Sequence, residues 1–92
     1  MGYQIRHMEF GIYQGECMGL GFWHPMSEMP EQGLCEFPSF DDAMFHINFL
    51  CSEACSDPLR REDLSVELFN KELSDQIVAE GMKELGNEAV VD

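Results

Sequence analysis

The chain predicts an α+β fold: an antiparallel three- to four-stranded β-meander, one well-capped helix packed on it, and a second helix near the C-terminus. Three observations predict this. Apolar and small or polar residues alternate through the first forty residues, the period of half-buried strands. Glycine and proline punctuate that region at turn-like intervals. After Ser39 the apolar spacing changes to that of helices. At 92 residues, 45% of them hydrophobic, the chain is expected to form a single small domain with one modest core.

The elements follow in order. Tyr3 and Ile5 share a phase that Met8 breaks, which places a bulge or a strand start near Arg6-His7. Met8, Phe10 and Ile12 alternate with Glu9, Gly11 and Tyr13 and read as a strand. Gln14-Gly15 supplies a residue tolerant of positive φ, so a tight hairpin turn is expected there. Met18, Leu20 and Phe22 then alternate with Cys17, Gly19, Gly21 and Trp23, and the glycines leave a shallow floor on one face. His24 to Gln32 reads as a loop stiffened by Pro25 and Pro30, followed by a short third strand over Gly33 to Phe37.

Ser39 opens the clearest helix signal. Its hydroxyl can cap the amide of Asp42, which can reach back to complete a capping box, and Asp41 and Asp42 suit the positive end of the dipole. Ala43, Ile47, Leu50, Cys51 and Ala54 form a stripe expected to face the sheet. Phe45 and Phe49 lie off that stripe and require a second cover, assigned to the C-terminal helix or to a second copy. Leu64, Val66 and Leu68 suit a strand, while Val66, Phe69, Leu73 and Ile77 fit a helix, so residues 64–69 satisfy both periods. From Lys71 to Leu85 helix is predicted, weakened at Gly81. Gly86-Asn87 reads as its stop, and residues 86–92 as a frayed tail.

Eighteen acidic residues against five basic ones give a net charge of −13. Such a chain is unsuited to bind nucleic-acid phosphates or an anionic membrane directly. The opening residues lack the apolar core of a signal peptide, no stretch is long enough to span a bilayer, and the chain is expected in the cytoplasm. Cys17, Cys35, Cys51 and Cys55 are then free thiols. In principle they complete a tetrahedral zinc site, but their spacing differs from paired knuckles, and they read as small core hydrophobes with no metal.

No residue set supports catalysis. His7, His24 and His46 lie far apart in sequence without a nucleophile motif, and Gly19-Leu20-Gly21 lacks the third glycine of a dinucleotide fingerprint, where His24 stands. The chain is expected not to be an enzyme and to need no cofactor. Two features read as binding surface. Met26 and Met29 flank Glu28 in a proline-stiffened loop, where methionine adapts to partner surfaces and proline lowers the entropy lost on docking; the alternative is that both methionines fold back to close the end of the sheet. Glu72, Gln76, Glu80 and Glu84 form one ridge of the last helix, and Glu62, Asp63 and Glu67 add charge upstream.

In size and charge the chain resembles small phage-encoded inhibitors, anti-CRISPR and DNA-mimic proteins among them, and small proteins carried on integron cassettes. The resemblance implies an acidic domain that occupies a basic, nucleic-acid-binding surface of another protein, with carboxylates in place of phosphates. The alternative from another class is a homodimeric small-molecule-binding domain, with Trp23, Phe45 and Phe49 lining a pocket over the glycine floor.

Overall fold

The first strand, β1 (Tyr3–His7), buries Ile5 and His7 on one face and turns Gln4 and Arg6 to the other. The computed structural model describes residues 2–17, 20–26, 33–55 and 57–90, with backbone alone for Cys17 and residues 83–90. The strand expected from Met8 does not form, because residues 8–10 are the turn into β2 (Gly11–Cys17). The His7 side chain explains this. Its Nδ1 accepts hydrogen bonds from the amides of Glu9 and Phe10, at 3.1 and 3.2 Å, so those amides point inward around the ring. Phe10 then stacks on His7 with ring centroids 3.9 Å apart, and Met8 stands in solvent. Gly15 does adopt positive φ (141°), but as an irregularity within β2, where the register shifts between Tyr13 and Gly15.

The next strand, β3 (Leu20–Pro25), pairs with β2 and turns Trp23 inward opposite Tyr13, while Leu20 faces out. After the helix, β4 (Leu64–Leu68) settles the open assignment of 64–69 as a strand. It pairs along all of β1, from Tyr3↔Leu68 to His7↔Leu64, so Val66 joins Ile5 on the inner face. The sheet is fully antiparallel in the order β3-β2-β1-β4, a three-stranded meander with a returning strand added beside β1.

No third meander strand forms over Gly33 to Phe37. β1 and β2 pair only at Arg6↔Ile12 and His7↔Gly11, then separate. Residues 35–37 take up the backbone groups left over: the Cys35 amide donates to the Tyr13 carbonyl at 3.0 Å, and Phe37 exchanges two hydrogen bonds with Tyr3 at 2.8 and 2.9 Å. The segment is thus a strap across two strands, made necessary by backbone groups that would otherwise be buried without partners.

Helix α1 (Phe40–Leu50) begins where its capping residues predict, with the Ser39 hydroxyl accepting from the Asp42 amide at 3.1 Å. Ala43, Ile47 and Leu50 face the sheet and join Ile5, Tyr13, Trp23 and Cys55 in the main core. The stripe stops with the helix: Cys51 caps it, and Ala54 is exposed. Helix α2 (Lys71–Val90) runs through Gly86-Asn87, so residues 86–90, expected as a tail, are helical. It starts on Asn70, whose Oδ1 accepts from the Leu73 amide at 3.0 Å. It does not cover α1. Ile77, with Leu73 and Phe69, packs on Ile12 and Leu34 across the sheet, because Ile12 and Tyr13 are neighbours in β2 and point to opposite faces. A buried hydrogen bond from the Leu34 amide to Ser74 Oγ, 3.0 Å, fastens the helix there. Among the described residues no helix is long and apolar enough to cross a membrane.

Candidate interaction surface and aromatic pocket

The expected pocket of Trp23, Phe45 and Phe49 is not assembled. Trp23 is a core residue, 2% exposed, with its ring edge-on to Tyr13 at 5.1 Å. Phe45 lies on the outward side of α1 at 77% exposure. Phe49, half-buried, packs against His46 at 5.5 Å. The reason is helical geometry: Ala43, Ile47 and Leu50 claim the sheet, which leaves the two off-stripe phenylalanines one turn apart on the same flank, Phe45 in solvent and Phe49 at the edge of the core.

A different cavity of about 150 Å³ does use Trp23. It opens between the β1–β2 turn, β3 and the chain that follows α1. Phe10 supplies the first wall, and Leu20, Gly21, Trp23 and Met26 supply the second. Leu50, Cys55, Asp57 and Leu59 close it. Leu59 is drawn to the end of α1 by its amide, which donates to the Leu50 carbonyl at 3.0 Å. Gly21 leaves room for the indole, since a Cβ there would stand 2.9 Å from Trp23 Nε1. The glycine floor read from the sequence therefore exists at Gly21. Asp57 and Leu59 carry no periodic signal, and only the stop at Asp57-Pro58 hinted that the chain reverses towards the sheet.

Tyr13, which is buried, and half-buried His46 form a polar pair, Oη to Nε2 2.7 Å. Burial pushes the Tyr13 phenol far above its ordinary range, helped by Cys35, Glu16 and Cys55, so it stays protonated. Burial lowers the pKa of His46 below its ordinary 6.5, with Glu16 opposing. At 1% exposure Tyr13 offers a substrate no approach, and the pair ties α1 to β2. A depressed histidine favours the neutral form in the fold, so its contribution is complete above about pH 6.5 and is lost as pH falls from there towards the lowered value. The melting temperature should accordingly drop as pH falls from about 7 to about 5. His46→Gln, which keeps an acceptor for Tyr13 and removes the titration, should flatten that slope in thermal melts. An unchanged slope would assign it elsewhere.

The thiols of Cys35, Cys51 and Cys55 are free and raised by burial, which makes them poor nucleophiles. Cys55 Sγ donates to the Phe49 carbonyl at 3.4 Å. Among the described residues no group of three or more His, Cys, Asp or Glu is placed to hold a metal ion.

The acidic residues separate into two kinds. Glu67 is held from two sides: Gln4 Nε2 donates to it at 2.5 Å, and the Arg6 guanidinium grips both its oxygens at 2.7 and 3.1 Å. That grip holds its carboxyl below the usual carboxylate range. Glu62 pairs with Arg60 at 2.5 Å, which likewise lowers its carboxyl, and half-buried Asp63 lies 3.9 Å from His7 Nε2. These three residues, expected on the partner face, each lie beside a basic residue of the chain itself, and Glu62 with its partner Arg60 remains exposed. Glu72 and Glu80 are exposed on α2, and Met26 is 52% exposed at the end of β3. Glu28, Met29 and the Glu84 side chain lie outside the described residues. Comparison with known proteins returns no match, whether with protein-family models, curated proteins or solved structures.

Proposed function

We propose that the protein is an acidic interaction domain that occupies the basic, nucleic-acid-binding surface of a partner protein. The observation that carries this reading is how the chain's few cations are used. Every described Lys and Arg side chain is engaged internally: Arg6 with Glu67, Arg60 with Glu62, Lys71 with Asp75, and Arg61 with the Asn48 amide oxygen. The surplus of −13 is therefore carried by carboxylates such as Glu72 and Glu80 that stand on the surface. Two carboxylates eight residues apart on a helix are separated by about 12 Å along its axis, a spacing that one cationic groove can span. A field of this kind speeds encounter with a cationic partner, and apolar contacts then set the lifetime of the complex.

Immobilised protein should retain such a partner at about 0.01 M salt, where the screening length is ~30 Å, and release it towards about 0.15 M, where it is ~8 Å. Duplex DNA or RNA should displace the partner, and the double variant Glu72→Lys with Glu80→Lys should weaken its retention. A partner that withstands about 1 M salt and ignores nucleic acid would overturn the reading.

A further inference from the structure

The cavity beside Trp23 is small and mixed in character. Its walls are aromatic and aliphatic, Phe10, Trp23, Leu50 and Leu59 among them, and among the described residues Asp57 is the one charged residue in its lining. At about 150 Å³ it falls below the ~300–1,000 Å³ usual for small-molecule sites. That volume suits one inserted side chain. An exposed carboxylate beside an apolar recess, on a molecule of charge −13, selects against an anionic neighbour and for a cationic one.

We infer that this cavity is an anchor site for a segment of the basic partner in which an aliphatic side chain stands beside a lysine or arginine. The aliphatic group enters between Phe10, Trp23 and Leu59, and the adjoining cation meets Asp57. The inference rests on the acidic-blocker reading and adds the chemistry of the contact. Carboxylates spread over the surface give attraction without register. A recess that takes one side chain gives register, and burying that side chain contributes affinity that salt does not screen.

Trp23 is the chain's single tryptophan, so its fluorescence reports occupancy without a label. The probes are n-pentylammonium, n-pentanol and pentanoate, which share an alkyl tail and differ in head charge. The expected result is a saturable change in Trp23 emission, with affinity falling from the ammonium to the alcohol to the carboxylate. Asp57→Asn, an exposed substitution that spares the core, should weaken the ammonium about two- to fivefold, the range of an exposed ion pair, and leave the alcohol unchanged. No saturable response from any probe would overturn the anchor site. Equal affinity for all three, or an ammonium preference untouched by Asp57→Asn, would overturn the assigned cation contact. None of these measurements needs the partner, so a failed partner experiment with an intact probe ranking counts against the blocker reading alone.

Discussion

Trp23→Ala should destabilise the protein by about 3–5 kcal/mol, the usual cost of removing a large buried aromatic side chain. The indole is the largest fully buried side chain, and three other rings meet it: Tyr13 at 5.1 Å, His7 at 5.6 Å and Phe10 at 6.0 Å. Its removal leaves a void between β3, the β1–β2 turn and α1 that these rings cannot fill without leaving their own partners. His7 is bound to two turn amides, and Tyr13 to His46. A domain of this length has a total stability of roughly 5–14 kcal/mol, so the loss ranges from about a fifth of it to the whole. Urea denaturation followed by circular dichroism measures the change, since the variant has no tryptophan emission. Trp23→Phe should recover part of it. A loss under about 1 kcal/mol, the level of a typical surface change, would mean that the indole is not integral to the core.

Gly11→Ala should be at least as damaging, through the backbone. Gly11 has φ of +107°, and a Cβ there would stand 1.8 Å from the His24 carbonyl oxygen. Neither the strain nor the clash can be relieved by a rotamer change, because the obstacle is the main chain of β3 at the Gly11↔Pro25 pairing. Residues forced into such backbone regions cost about 1–3 kcal/mol before any clash is counted. Separation of β2 from β3 would also uncover Trp23. The contrast is Gly21→Ala, where φ is ordinary and the nearest obstacle, at 2.9 Å, is the Trp23 indole nitrogen rather than main chain, so a shift of one side chain suffices. Thermal melts should rank Gly11→Ala well below Gly21→Ala. A parent-like melting temperature for Gly11→Ala would contradict the positive φ.

Helix α1 was legible from the chain because its determinants are local: Ser39 caps an amide three residues away, and Ala43, Ile47 and Leu50 repeat at helical spacing. The segment 64–69 satisfied two periods at once, and only its pairing with β1, some sixty residues upstream, selected the strand. Met8 to Ile12 misled for another reason. A histidine side chain binding two amides diverts the backbone whatever alternation the residues display. At Gly15 the demand for positive φ was readable, but a turn and an irregular strand share that demand, and the register against β3 separates them. The cavity gathers Phe10, Gly21, Asp57 and Leu59 from distant segments, a proximity that no local spacing encodes. Glu67 looks like surface charge in the chain, and its tether to Arg6 exists only once β1 and β4 are aligned, whereas the Arg60–Glu62 pair is local, two residues apart.

The strap at residues 35–37 has a bearing on how the molecule reaches its folded form. A hairpin zips from its turn outwards at small entropic cost, but here the zipper between β1 and β2 halts after two rungs. The remaining rungs belong to Cys35 and Phe37, which lie beyond β3 in the chain. Completion of the sheet is thereby coupled to placement of the chain that leads directly into α1, so the meander and the helix mature as one cooperative unit.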